Sequence, residues 1–141
     1  MATYNKFDVF TLDLVNGAQD FDLHTFKVLL TNTAPVASNT VKSNITEISA
    51  GNGYVAGGTA TPIVTSTTTG TAKATATDVV FTAVGGSVGP FRYAVWYNDT
   101  QTTPAKPLIA WFDYGASTTL NTGESFTVDF NASTGAFTVG P

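Results

Sequence analysis

His24 is the only histidine in the chain and the first residue to test for chemistry, because imidazole is the commonest general base near neutral pH. It alternates with apolar neighbours in Phe21-Asp22-Leu23-His24-Thr25-Phe26, so it reads as a structural histidine. A single His also cannot build a His-rich metal site. Asp8, Asp13, Asp20 and Asp22 form an acidic N-terminal group. Asp20 and Asp22, two residues apart, could offer two oxygens to Ca²⁺, but the other ligands of a calcium loop are missing. Glycoside hydrolysis needs two carboxyl groups facing each other across a cleft. Glu47, Glu124 and several Asp residues are present, yet spacing alone pairs none of them.

Gly51-Asn52-Gly53-Tyr54-Val55-Ala56-Gly57-Gly58 is rich in glycine but is not a phosphate loop. No Gly-Lys-Ser/Thr follows it, and no helix is signalled after it, so it reads as a turn or mobile loop. Asn44, Asn98 and Asn131 open three glycosylation sequons, which a chain so rich in Thr produces by chance. The expectation is therefore a protein with no catalytic, cofactor-binding or metal-ligating residue, and not an enzyme.

The elements that would position any site are strands. Residues 91–97 (Phe-Arg-Tyr-Ala-Val-Trp-Tyr) and 108–114 (Leu-Ile-Ala-Trp-Phe-Asp-Tyr) flank a polar, turn-rich segment and hold both tryptophans. They predict an antiparallel hairpin. Pairing Tyr97 with Leu108 sets Val95 against Ala110, Tyr93 against Phe112 and Phe91 against Tyr114. The other face then carries Trp96 with Ile109, Ala94 with Trp111, and the only arginine, Arg92, directly across from Asp113. One face lines the core. The Trp96/Trp111 face needs cover from the N-terminal segment, a loop or another subunit.

Elsewhere, Phe7, Phe10 and Leu14 have the spacing of a short amphipathic helix, although Val9 and Leu12 spoil its face. Residues 25–31 read as the first clear strand, and residues 46–48 as a brief edge. Residues 63–69 and 73–77 follow as strands. Residues 79–84 are apolar on both parities, which predicts a central strand. Phe126, Val128 and Phe130 alternate inward, and Phe137 and Val139 close the chain. The sum is an all-β domain over residues 1–141. It is expected to be an antiparallel β-sandwich or jelly roll of roughly eight strands, with a short N-terminal helix and arm.

Composition narrows the partners. The net charge is −4, the five lysines are scattered and Arg92 stands alone, so a nucleic-acid partner is not expected. Only 11% of residues are charged, fewer than a solvated surface usually carries, which an oligomer or a partner would explain, as would a surface solvated by Thr and Asn. No cysteine is present, which fits folding in a reducing cytoplasm. The first residues lack the apolar run of a signal peptide, and no stretch approaches the ~20 apolar residues of a membrane span.

Several stretches together carry a resemblance. They are Lys27-Val28-Leu29-Leu30-Thr31-Asn32-Thr33-Ala34-Pro35, Ile45-Thr46-Glu47-Ile48-Ser49-Ala50-Gly51-Asn52-Gly53-Tyr54, Gly89-Pro90-Phe91-Arg92-Tyr93, Trp111-Phe112-Asp113-Tyr114-Gly115 and Gly123-Glu124-Ser125-Phe126-Thr127-Val128-Asp129-Phe130. From about Lys27 onward the chain resembles a group of small tailed-bacteriophage proteins. The resemblance implies a virion structural protein, a capsid decoration (cement) protein made in the bacterial host cytoplasm and carried on the capsid surface. Its implied partner is the major capsid protein, with a homo-oligomer on the shell and no membrane. The alternative is a tail or fibre component with a carbohydrate-binding β-sandwich, in which Trp96, Tyr97 and Trp111 stack on sugars. The interface is expected to use Tyr4, Phe7, Phe10 and Leu14 of the arm, or Trp96 and Trp111. Deleting residues 1–8 is expected to weaken shell binding without unfolding the domain.

Overall fold

The computed structural model describes residues 2–140. Ten strands, all paired antiparallel, and one short α-helix follow in the order β1 (Thr3–Lys6), α1 (Val9–Val15), β2 (Phe26–Thr31), β3 (Thr59–Ala60), β4 (Ile63–Thr68), β5 (Thr71–Ala76), β6 (Val79–Thr82), β7 (Val88–Asn98), β8 (Leu108–Leu120), β9 (Ser125–Val128) and β10 (Phe137–Val139), with a 3-10 turn at Lys42–Asn44 between β2 and β3. The strands form three sheets, ordered β1-β8-β7-β2-β3, β10-β5-β4 and β6-β9. The mostly-β expectation and the short helix are borne out. The strand number is corrected from about eight to ten, because the N-terminal arm and residues 59–60 also pair.

The large core draws on all three sheets. Val28, Leu30, Ala74, Ala76, Phe81, Ala94, Trp96, Phe112, Val128 and Phe130 all contribute to it. A smaller core lies on the other face of the five-stranded sheet and contains Phe7, Leu29, Val95, Tyr97 and Leu108. The β7–β8 hairpin forms, but its register departs from expectation after the first pair. Tyr97 does face Leu108, yet Trp96 faces Ala110, Val95 faces Trp111 and Ala94 faces Phe112. Ile109 is an extra residue, a β-bulge, and a shift of one residue exchanges the faces of a strand. Trp96 therefore lies in the large core, whereas Trp111 packs against the small one. The expected Trp96/Trp111 face does not exist.

A further irregularity between Phe91 and Tyr93 sets Phe91 opposite Thr118, while the shift at Ile109 already sets Tyr93 opposite Asp113, so Arg92 is not directly across from Asp113. It still reaches that carboxylate with two parallel bonds, Nε to Oδ1 at 2.8 Å and Nη2 to Oδ2 at 3.0 Å.

The arm is a fifth strand of the sheet. β1 pairs with β8 from Thr3–Asp113 to Lys6–Ala110, and the Phe7 N–H takes the carbonyl of the bulged Ile109 at 3.1 Å. Phe7 is fully buried, 4.5 Å from Trp111 between ring centres. Removal of residues 1–8 would strip an edge strand and a core side chain together, so it should cost folded stability. The expectation for residues 79–84 also fails. β6 pairs only with β9, and its side chains alternate, Val79 and Phe81 buried against Val80 and Thr82 exposed.

Residues 45–58 cover the outer side of β2, and the glycine-rich part turns as expected, with Gly51 and Tyr54 exchanging N–H to carbonyl bonds at 2.8 and 3.0 Å. β3 pairs only with Lys27 and Val28, so the outer side of β2 is open beyond that point. The Leu30 carbonyl accepts from Ile48 N–H at 3.1 Å, and the Leu30 N–H donates to Tyr54 Oη at 3.0 Å. Tyr54 Oη in turn donates to Glu47 Oε1 at 2.7 Å, which also accepts the Gly57 N–H. Lys42 holds Glu47 Oε2 at 3.0 Å, and Tyr97 Oη donates to the Gly57 carbonyl at 2.6 Å. Gly58 needs to be glycine, because at φ +79° a Cβ would fall 1.9 Å from the Val28 carbonyl oxygen.

Candidate interaction surface

α1 is seven residues long and amphipathic in an incomplete way. Phe10 and Asp13 are buried and Leu14 is half-buried, while Leu12 and Val15 point outward at 59% and 83% exposure. The helix ends at Gly17, whose φ of +77° lets the Ala18 N–H turn back to the Asp13 carbonyl at 2.8 Å. The chain then folds along the three-stranded sheet. Leu14, Phe21, Ala72, Ala74, Phe137 and Val139 give an open groove of about 400 Å³ its apolar lining, with Asp20, Asp22 and Lys73 also on its wall. Val15 and Leu23 adjoin the groove residues Leu14 and Asp22 in the chain, and Leu23 is 78% exposed. Leu12, Val15 and Leu23 are thus uncovered apolar side chains in the same N-terminal segment that supplies Leu14 and Phe21 to the groove.

The six residues expected at an interface divide. Phe7, Phe10 and Trp96 are buried within the chain's own cores. Tyr4 is 41% exposed, and Leu14 and Trp111 are half-buried. Sequence reasoning missed Leu12, Val15 and Leu23. Leu12 gave a signal, because an apolar residue on the wrong side of a helix is either a pattern error or a contact.

A second hollow of about 640 Å³ lies between β8 and the residues after β9. Phe112, Tyr114, Thr127, Asp129 and Asn131 line it, and Tyr4 stands edge-on to Phe112 with ring centres 5.4 Å apart. Burial, aided by the nearby Asp129 charge, pushes the Tyr114 phenol up to about 12. Tyr114 is neutral at physiological pH and can both donate and accept a hydrogen bond.

The groups singled out for chemistry serve the scaffold. Asn98 is fully buried, and its Oδ1 accepts the N–H groups of Thr100 and Gln101. That fixes its Nδ2 as the donor to Gln19 Oε1 at 3.0 Å and to His24 Nδ1 at 2.8 Å. His24 therefore accepts at Nδ1 and carries its proton on Nε2. Asp20 Oδ1 accepts the N–H groups of Asp22 and Leu23, a local turn. Among the described residues no three His, Asp or Glu side chains gather as a metal-binding group. Glu124 Oε2 accepts the Asn121 N–H, and Asp78 Oδ1 the Phe130 N–H. Asp99 sits between Lys27 and Lys106 at 2.9 and 2.7 Å. Burial would raise its carboxyl, but the two ammonium groups outweigh burial and hold it below its ordinary range.

Gly85-Gly86-Ser87-Val88-Gly89 spells the Gly-x-Ser-x-Gly of a nucleophile elbow, which sequence reasoning passed over. An elbow needs a strand-to-helix turn. Here the segment connects β6 to β7, strand to strand, and the Ser87 carbonyl accepts from Asn52 Nδ2 at 2.9 Å. Among the described residues, no hydrogen bond joins Ser87 to His24. No helix among them is long and apolar enough to cross a membrane.

No protein-family model matches this chain, and neither a curated protein nor a solved structure does.

Proposed function

We propose that this is a non-enzymatic structural protein of a tailed-phage virion, a decoration (cement) protein seated on the outer surface of the capsid. The resemblance of residues from Lys27 onward motivates the virion. The observation that supports binding is the apolar groove together with the exposed Leu12, Val15 and Leu23 of the same N-terminal segment. Fully burying a Leu or Val side chain is worth ~1.5–3 kcal/mol. Scaled by exposures of 59%, 83% and 78%, the three together hold about 3–7 kcal/mol of burial still to be gained. That would contribute to docking onto a shell presenting a complementary apolar site, with further contacts needed to offset the ~4–15 kcal/mol that association costs. We also read the three sheets as layers of one sandwich, a reading supported by the large core they share.

Copy number on purified particles, relative to the major capsid protein, tests the placement. A ratio near parity or a simple fraction of it is expected. A few copies to a few dozen would move the protein to the tail, and absence would remove the virion reading. Val15→Asp and Leu23→Asp should each abolish decoration while leaving the folded stability within about 0.5 kcal/mol, since both side chains already face water.

The second reading, a carbohydrate-binding tail component, takes its support from the hollow at Tyr114. Trp96 and Tyr97 are fully buried and offer no ring to a sugar. Tyr4 and Tyr114 are not fully buried, and Asp129 and Asn131 beside them could bond to hydroxyls. Loss of glycan binding in Tyr114→Ala would favour this reading.

A further inference from the structure

We propose that β4 is an assembly edge, and that two copies of this chain join by antiparallel pairing of β4 with β4. β4 lies at the end of its sheet and pairs only with β5. The phase of that ladder follows from two independent facts. Thr77 N–H donates to the Pro62 carbonyl, and Thr69-Gly70 (φ +48° and +80°) make a two-residue turn that closes on Thr68 and Thr71. Both make Val64, Ser66 and Thr68 the hydrogen-bonded residues toward β5. The N–H and C=O groups of Ile63, Thr65 and Thr67 therefore point away from β5. Among the described residues nothing bonds to them.

Proteins usually protect such an edge with charge, proline, short length or a cover. The other edges here are protected in these ways. β3 and β10 are two and three residues long, and β6 and β9 four. β1 is also four residues and carries Lys6. The outer side of β2 is covered by Ile48 and Tyr54. The far half of β8 is broken by Gly115 at φ +85°. β4 has none of these devices: its six residues, Ile-Val-Thr-Ser-Thr-Thr, include no charge and no proline.

The sequence of β4 also suits itself as partner. A two-fold axis at Thr65 sets Thr65 against Thr65, Ile63 of one copy against Thr67 of the other, and Val64 against Ser66. No charges meet, and Thr–Thr pairs are favourable across strands. The three outward-facing pairs exchange two N–H···O bonds each, and the two three-stranded sheets become one continuous sheet. The contact is isologous and uses up the edge, so assembly stops at the dimer. This inference does not rest on the shell-binding reading and is tested on the free protein.

Sedimentation equilibrium from about 10 μM to 1 mM should show a monomer–dimer equilibrium, as expected of a small interface. Thr65→Pro removes the N–H at the axis without touching the β4–β5 ladder. It should weaken the dimer at least about tenfold at unchanged far-UV circular dichroism. Thr67→Lys places a charge on the edge and should act alike, and it serves if the proline variant does not fold. Hydrogen exchange at Ile63, Thr65 and Thr67 should slow as concentration rises. A monomer throughout the range, a dimer indifferent to both substitutions, or open-ended filaments would each overturn the proposal.

Discussion

Tyr54→Phe isolates one oxygen whose loss can be followed through the fold. The ring stays, so no cavity opens. The hydroxyl is the only group that meets the Leu30 N–H on the outer side of β2, and Leu30 is fully buried. It also donates to Glu47, which anchors the Gly57 N–H. Leaving a buried N–H unpaired costs ~1–3 kcal/mol, and a hydrogen bond to a charged group is worth ~1.5–3 kcal/mol. Glu47 keeps Lys42 and Gly57, so the second loss is at the low end, and the total is about 3 kcal/mol. A domain of this size has only ~5–15 kcal/mol to lose. At a urea slope of about 2 kcal/mol/M, the unfolding midpoint should fall by about 1.5 M with an unchanged slope. Tyr97→Phe loses one bond to a carbonyl and should cost about 1 kcal/mol. If Tyr54→Phe costs no more than Tyr97→Phe, the covering loop does not complete the edge of β2 and the reasoning is wrong.

Phe7→Ala should cost ~3–5 kcal/mol by urea unfolding, because Phe7 is fully buried in the small core; a cost under 1 kcal/mol would mean the arm is only laid on the surface. Thr69→Asn should raise stability by roughly 1 kcal/mol in thermal unfolding, since a β-branched residue at φ +48° is strained and Asn tolerates that region. Asp13 Oδ2 is buried without a hydrogen-bond partner, and burial raises its carboxyl in the folded state. The native state therefore holds this proton more tightly than the unfolded chain, and the penalty for ionising it grows as pH rises above ~4. Asp13→Asn should thus be more stable than the parent at pH 7, with the advantage shrinking toward pH 4; an advantage independent of pH would exclude ionisation as its source.

Periodicity found every long strand, because alternation is a local property of the chain. Residues 126–130 alternate in the structure as they do in the sequence. Ile109 escaped, since a bulge leaves the alternation of each strand readable while moving one strand against the other. Arg92 and Asp113 were paired correctly despite the wrong register, because a long side chain spans the offset. Residues 51–58 read as a turn or mobile loop because glycine advertises freedom, and the turn is present, but nothing local announces that Tyr54 and Glu47 will fill the side of β2 left open by a two-residue β3. The apolar surface was half-visible: Leu12 broke the helix pattern, while nothing in the local pattern marked Val15 and Leu23 as exposed.

The bulge at Ile109 has an optical consequence. By turning the two indoles to opposite faces, it gives the molecule two separate fluorophores. Trp96, wholly enclosed, emits from a dry environment and reports the union of all three sheets. Trp111, its ring tilted against Phe7 and partly open to water, reports the arm. With Trp96→Phe and Trp111→Phe as single-emitter versions, detachment of the arm and collapse of the main core can be timed independently in one chain, without any attached dye.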